Sequence, residues 1–320
     1  MLGPTLVRTI DVLPESAPTK SIAAVLSESA KWRNAALDWL FYDIGALTKE
    51  EFGLLVGETN TEGAIIVVHP RGAKGALSLT KFETYEALVD APGRKLRKFA
   101  VAGVGSSDIG AAALARNLAD HTGEPVGAIV AGYGVADLVS EAMGGWFFFG
   151  AANMMVRRWH DLTASEKKRK EATGETLAAM SRGSLSPEEL TISSDFATGF
   201  SPDTMTLVRL LTEKDRQVDT IVGHSKGCLS IAFALEALAL LKDQRAIERA
   251  KAARILTLGA VVEFPAGYVN ATQVIGAIDW FGGLNSRIGK DAVKIPGAWH
   301  HLNRTLPYHL DAAEVFADQI

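Results

Sequence analysis

Cysteine is almost absent from this chain, and basic residues are slightly outnumbered by acidic ones. Cys228 is the one cysteine among 320 residues, so no disulfide can form within the chain. Lys and Arg number 33 against 37 Asp and Glu, which gives a formal net charge of -4. This balance gives no electrostatic basis for binding nucleic acid or an anionic membrane. The first 30 residues contain no basic stretch leading into a long apolar segment, and with the missing disulfide this predicts a cytoplasmic protein.

Long hydrophobic runs are also lacking. The most apolar stretch, residues 142–156, is too short to span a bilayer and is interrupted by glycines and by Asn153. Burial of this stretch is the simpler interpretation. The alternative is that it meets an apolar substrate or a lipid interface, with Trp146, Phe147 and Phe148 as the candidate contacts. Hydrophobic residues make up 48% of the chain and charged residues 22%, which suits one substantial soluble domain with an insertion.

Strand-like and helix-like segments alternate from residue 64 onward. The predicted strands are 64–68, 99–104, 126–131, 218–222, 254–260, 274–278 and 292–295. The predicted helices are 21–47, 82–89, 109–120, 202–215, 228–241 and a last one from about residue 311. This alternation predicts an α/β fold, a mostly parallel central sheet with helices on both faces.

The alternation fails between residues 135 and 199, where an apolar piece is followed by the charged run 166–171 and a polar stretch. This segment is predicted to be a cap or lid, inserted over the carboxyl ends of the strands, where α/β sheets bind ligands. The predicted organisation is an N-terminal arm and helix packing on the core (1–60), the core itself (61–134 and 200–320) and the cap (135–199).

The most informative motif is Gly223-His224-Ser225-Lys226-Gly227, between an apolar, β-branched run and an alanine- and leucine-rich one. A serine on a sharp strand-to-helix turn needs small residues two positions before and after it, and both are glycine here. The pattern predicts a nucleophile elbow. An ordinary strand-to-helix turn with a capping serine is the competing interpretation.

A serine nucleophile needs a base and an acid that orients the base. The expected chain order is serine, acid, histidine. His300 ends a short turn after the strand 292–295 and is the predicted base, with His301 and His309 as alternatives. Asp279, at the end of the strand 274–278, is the predicted acid; Glu263 and Asp291 are its rivals, and a turn-capping role is its competing interpretation.

An oxyanion needs two amide donors. The N–H of Lys226, directly after the serine, is one predicted donor, and Val104 in the glycine-rich turn 102–106 is the other, with Gly105 as alternative. The same turn could open a phosphate-binding loop, but it lacks a full GxGxxG and a following P-loop lysine. His224, Gly105 and Trp280 join the three aromatic residues of the cap as predicted substrate contacts. The Lys226 side chain is expected to be solvated or paired, and Cys228 to be a buried apolar residue.

These motifs together resemble the α/β-hydrolase superfamily. The likeness is carried by VAGVGSSDIGAAALARNLA (101–119), VAGYGVADL (130–138), VDTIVGHSKG (218–227), VIGAIDW (274–280) and KIPGAWHHL (294–302), while Ala102 stands where many members have histidine. The resemblance implies a serine esterase or lipase-like enzyme with a Ser-Asp-His triad and an apolar small-molecule substrate, without cofactor or metal. A thioesterase or acyltransferase on the same triad remains open, as does a non-catalytic protein that binds an apolar ligand. The sequence leaves the oligomeric state open, including a homo-oligomer.

Overall fold

The computed structural model describes residues 37–56, 60–73, 78–91, 95–103, 105–131, 201–284, 286 and 292–320. In these residues a helix ends at Phe41, and a 3-10 helix spans Ile44–Ala46. The strands are β1 (Ile65–Val68), β2 (Leu79–Phe82), β3 (Lys98–Val101), β4 (Val126–Ile129), β5 (Thr220–His224), β6 (Arg254–Leu258), β7 (Ala271–Gly276) and β8 (Val293–Ile295). The helices are α1 (Lys49–Val56), α2 (Tyr85–Asp90), α3 (Asp108–Thr122), α4 (Pro202–Thr212), α5 (Lys226–Leu241), α6 (Gln244–Ala252), α7 (Trp280–Leu284) and α8 (Ala312–Gln319).

The strands form one mixed, mostly parallel sheet in the order β2-β1-β4-β3-β5-β6-β7-β8. Strand β1 runs antiparallel to both of its neighbours, β2 and β4. The pairs from β4 through β3, β5, β6 and β7 to β8 are all parallel. The carboxyl ends of β3, β5, β7 and β8 therefore meet at one edge of the sheet, where the loops that follow them can assemble a site.

Both faces of the sheet are covered, as the alternation of strands and helices predicted. Ile66 and Val68 of β1 contribute to an apolar cluster with α3 and α8, whereas Ile65 and Val67 contribute to a second cluster with α4, α5 and α6. Successive strand residues point to opposite faces. All four residues of β1 are therefore buried, and this explains why the strand shows no alternation of apolar and polar residues. The α/β class is confirmed by this arrangement.

Several helix ends are fixed by signals that the sequence carries. The Ser107 hydroxyl accepts from the Ile109 N–H at 3.0 Å at the start of α3, which ends at Gly123 with φ 69°. Asp311 accepts from two amides at the start of α8, the last predicted helix. Helix α6 was not predicted, because charged residues dominate it; its Ala246 and Ala250, four positions apart, are buried.

Two predicted helices are wrong in part. The segment 82–89 was predicted to be helical, but Phe82 ends β2, where it pairs with Ile65, and α2 begins only after the capping residue Thr84. The predicted helix 21–47 ends at Phe41 in its described part. The chain turns there because the Phe41 carbonyl accepts from the Leu302 N–H at 2.7 Å, a distant contact that local periodicity does not encode. No helix in the described ranges is long and apolar enough to cross a membrane.

Candidate active site

Ser225 lies between β5 and α5, on the sharp turn predicted from its flanking glycines. Its backbone has φ 53° and ψ -117°, a conformation that residues with side chains seldom adopt. The Ser225 N–H donates to the Leu258 carbonyl at 3.0 Å, and its carbonyl accepts from the Cys228 N–H at 3.0 Å, so both neighbouring elements hold the strained turn. The side chain is partly exposed at the carboxyl edge of the sheet.

Glycine is required at positions 223 and 227 because neighbouring atoms approach the main chain of both residues closely. A Cβ on Gly227 would lie 2.2 Å from the Val101 carbonyl oxygen, so helix α5 could not pack this closely on β3 with any other residue there. A Cβ on Gly223 would lie 2.7 Å from Ile231 Cδ1 and 2.9 Å from the Cys228 nitrogen. All these distances are shorter than a carbon atom tolerates, and the Val101 oxygen and the Cys228 nitrogen belong to the backbone. The two glycines therefore determine the geometry of the turn, as the sequence motif implied.

Three side chains from three different loops form a hydrogen-bonded relay. His300 Nε2 lies 3.0 Å from Ser225 Oγ, and His300 Nδ1 lies 2.8 Å from Asp279 Oδ2. The imidazole and the carboxylate are almost completely buried. A carboxylate can only accept, so it holds the proton on Nδ1 and leaves the Nε2 lone pair facing the serine hydroxyl. This arrangement can take a proton from the serine oxygen and stabilise the resulting imidazolium.

The surroundings of the relay fix its orientation. The second carboxylate oxygen of Asp279 accepts from the Gly282 N–H at 2.6 Å, in the first turn of α7. The rings of Phe41 and Phe281 meet the His300 ring edge-on, with centroids 5.7 Å and 4.8 Å away. These apolar walls exclude water from the imidazole, which strengthens its interaction with the carboxylate.

His224, predicted to contact substrate, is only 1% exposed. Its Nδ1 lies 3.1 Å from the Tyr42 hydroxyl and its Nε2 lies 3.0 Å from the main-chain carbonyl of His300. Burial lowers the pKa of His224 to about 3, so its ring is neutral. Tyr42 also accepts from the Gly103 N–H at 2.6 Å, and burial raises its pKa.

The turn that follows β3 approaches the serine closely. A Cβ on Gly103 would lie 3.1 Å from Ser225 Cβ. Gly105 has φ 72° and is buried, whereas Val104 lies outside the described residues. At the far end of the turn, the Asp38 carboxyl accepts from the N–H and the hydroxyl of Ser107. Burial raises the pKa of Asp38 to about 7.

Helix α5, which follows Ser225, brings the Lys226 amide and the side chains of Lys226 and Cys228 close to the serine. The Lys226 N–H begins α5, at the positive end of the helix dipole. Its ammonium lies 3.6 Å from the Glu62 carboxylate, and both side chains are largely buried, which agrees with the expectation of a paired lysine. Burial raises the pKa of the Cys228 thiol to about 12, and the residue is fully buried, as predicted.

The alternative base and acid residues lie apart from the relay. His301 Nε2 is 3.1 Å from the Pro307 carbonyl, and burial lowers the pKa of this histidine. His309 Nδ1 is 3.1 Å from the Leu306 carbonyl. Glu263 is exposed. The rival acid Asp291 and the predicted cap contacts Trp146, Phe147 and Phe148 lie outside the described residues, whereas Trp280 is 58% exposed, with its ring centroid 6.1 Å from that of Phe281.

Four residues near the relay were missed by sequence reasoning: Asp38, Phe41, Tyr42 and Phe281. Three of them belong to the segment that was predicted to be an uninterrupted helix to residue 47. A signal was available in Phe41-Tyr42-Asp43, three consecutive residues whose helix propensity is lower than that of the alanines and leucines before them. Within the described part of the chain, no group of three His, Cys, Asp or Glu residues is arranged to hold a metal ion.

No family model, no curated protein and no solved structure matches this chain, so a function must be argued from the geometry of these residues alone.

Proposed function

We propose that this protein is a serine hydrolase of the α/β-hydrolase type that cleaves a carboxylic ester through an acyl-enzyme. The observation that carries the proposal is the relay from Ser225 Oγ to His300 Nε2 at 3.0 Å and from His300 Nδ1 to Asp279 Oδ2 at 2.8 Å. The strained backbone of Ser225 adds support, because it presents the hydroxyl at the edge of the sheet. The chain order serine, acid, histidine is that of the α/β-hydrolases.

The proposed chemistry follows from the positions of the proton donors and acceptors. Ser225 Oγ attacks the ester carbonyl carbon while His300 Nε2 takes the hydroxyl proton. The negative charge on the former carbonyl oxygen is stabilised by the Lys226 N–H and by an amide of the turn after β3, for which we assign Val104 or Gly105. The imidazolium then gives its proton to the leaving alcohol as the C–O bond breaks. Water repeats the sequence and releases the acid.

The aromatic surroundings favour an apolar ester. Phe281 and Phe41 line the imidazole, and Trp280, whose ring contacts that of Phe281, is 58% exposed. Ile278, just before Asp279, is 48% exposed. Exposed apolar side chains clustered at the edge of a reactive site suit an apolar acyl or alcohol group better than a charged one.

The decisive experiment is intact-mass analysis after incubation with a fluorophosphonate, which phosphonylates activated serines. Wild type should gain one adduct, and Ser225→Ala should gain none, because the nucleophilic oxygen is missing. Ser78→Ala is a matched control, since this exposed serine precedes the edge strand β2, four positions from β5 in the sheet, and it should label like wild type. Absence of any adduct on folded wild type would contradict the proposal and favour a ligand-binding role.

If labelling occurs, the acceptor of the acyl group can be identified directly. Ester and thioester substrates should be compared in the presence of added alcohol, amine or thiol. Release of free acid from oxygen esters at a rate independent of the added acceptor is the result expected for an esterase. Preferential transfer to an acceptor, or cleavage restricted to thioesters, would reassign the same relay to an acyltransferase or a thioesterase.

A further inference from the structure

The unassigned feature closest to the relay is a buried chain of hydrogen bonds through Tyr42 and His224. His224 Nε2 faces a main-chain carbonyl, that of His300, at 3.0 Å. A carbonyl can only accept, so Nε2 carries the proton and Nδ1 of the neutral ring is an acceptor. Nδ1 therefore accepts from the Tyr42 hydroxyl at 3.1 Å. The phenol oxygen in turn accepts from the Gly103 N–H at 2.6 Å.

The hydrogen bonds in this buried chain all run in the same direction, from donor to acceptor. The chain runs from the Gly103 N–H through the Tyr42 hydroxyl and the His224 ring to the His300 carbonyl. Tyr42 is 2% and His224 1% exposed, so water cannot substitute for either partner without a cost. The ring contact agrees with the bonding, since the Tyr42 and His224 centroids lie 5.2 Å apart in an edge-on arrangement.

The chain connects three loops that must keep their relative positions for the proposed reaction. Gly103 belongs to the turn beside Ser225, and His224 ends β5 directly before Ser225. His300, the proposed base, lies on a third loop. The residues concerned are far apart in sequence, 61 positions between Tyr42 and Gly103 and 182 between Tyr42 and His224. No other described hydrogen bond joins the His224 side chain to a different element.

We infer that Tyr42 and His224 are positioning residues, which hold the turn at Gly103 and the main chain of His300 in register with Ser225. This inference rests on the proposed function. Neither side chain touches the reacting atoms; they act through the loops that do. Because a displacement of about 1 Å can lower a rate on the order of 100-fold, loss of the chain should reduce turnover without preventing folding.

The test compares Tyr42→Phe with wild type, using the fluorophosphonate adduct to count competent sites. The variant should lower kcat per labelled site by about 10- to 100-fold with little change in KM. A merely structural role would lower the number of labelled sites and leave kcat per site unchanged. Tyr85→Phe is the matched control, because the Tyr85 hydroxyl is bonded to Glu213 at 3.2 Å away from the relay, and it should keep the wild-type kcat.

A second variant separates the two halves of the chain. His224→Gln can still reach the His300 carbonyl with its amide but no longer presents an acceptor at the position of Nδ1. The double variant Tyr42→Phe/His224→Gln should therefore be no slower than the slower single variant. Multiplicative effects, or a Tyr42→Phe enzyme with unchanged kcat per site, would overturn the inference.

Hydrogen exchange of the Gly103 amide provides a readout independent of activity. Its exchange should be slow in wild type and in Tyr85→Phe, and about 10-fold faster or more in Tyr42→Phe. If wild type neither labels nor hydrolyses esters, the proposed function fails, and this exchange result still decides whether Tyr42 holds the turn. Equal exchange in wild type and Tyr42→Phe would overturn the inference even in an active enzyme.

Discussion

Asp279→Asn changes the relay by a single atom, and the structure indicates how the substituted side chain would sit. One carboxylate oxygen of Asp279 accepts from the Gly282 N–H at 2.6 Å, and the other faces His300 Nδ1 at 2.8 Å. The asparagine must keep its oxygen toward the Gly282 amide, because two donors cannot face each other. Its NH2 group is then directed at His300 Nδ1.

This reversal determines the histidine tautomer. An NH2 donor requires Nδ1 to accept, so the proton moves to Nε2, which faces Ser225 Oγ at 3.0 Å. A protonated Nε2 cannot take the hydroxyl proton. The same substitution in the catalytic triad of a serine protease lowers kcat by about 10⁴, and we expect a loss of that order here, equivalent to about 5 kcal/mol of transition-state stabilisation. KM should change little, since the Asp279 carboxylate is buried and bonded to His300.

The assay is steady-state hydrolysis of a short p-nitrophenyl ester, with nitrogen-resolved NMR of the histidine rings. Wild type should carry the His300 proton on Nδ1 and Asp279→Asn on Nε2. Asp318→Asn is the matched control, an exposed aspartate on α8, and should leave both the rate and the tautomer unchanged. An Asp279→Asn variant that retains more than about a tenth of the wild-type kcat would refute the assignment of Asp279. So would a rate loss without a change of tautomer.

Two further predictions concern stability. Gly227→Ala should lower the free energy of unfolding by about 2 kcal/mol or more, because its Cβ would lie 2.2 Å from the Val101 carbonyl oxygen. Gly53→Ala should raise the free energy of unfolding by up to about 1 kcal/mol, because Gly53 lies on the exposed side of α1 and an added Cβ would meet no atom within 4 Å. Equal effects of the two substitutions in urea titrations would contradict this expectation. Burial raises the pKa of Asp38 from 3.8 to about 7. Between these two pH values Asp38 is protonated in the folded protein and ionised in the unfolded one, so the free energy of unfolding falls as pH rises. From pH 5 to pH 8 wild type should lose roughly 3 kcal/mol relative to Asp38→Asn, and parallel pH profiles of the two proteins would contradict this.

Local sequence was sufficient for much of the architecture. Strands β1, β3, β4, β5 and β6 and helices α3, α4, α5 and α8 form close to their predicted positions, because each carries a strong apolar run or a capping residue. The boundaries were less accurate. Strand β5 ends at His224, two residues later than its apolar run suggested. Helix α5 starts directly after Ser225, two residues earlier than its apolar run suggested. Apolar character alone does not mark where the backbone turns.

Other elements depended on distant contacts. The strand β2 was missed because it is short and pairs only with β1, at the edge of the sheet. The break after Phe41 was missed because the bonds that hold it come from Leu302 and Gly103, far along the chain. A helix-like pattern continues across residues 42–47, so periodicity favoured a helix that tertiary contacts interrupt.

The sequence by itself determined the elbow at Ser225, since the two glycines, the preceding strand and the following helix are all local requirements of that turn. It also narrowed the base to three histidines and the acid to a few carboxylates. Only the tertiary structure decided that His300 meets the serine and Asp279 meets His300, and that Tyr42 and His224 connect the surrounding loops. The physical reason is that hydrogen bonds such as the one between Tyr42 and His224, which are 182 residues apart, depend on how the sheet orders its strands, and this order leaves no periodic pattern in the chain.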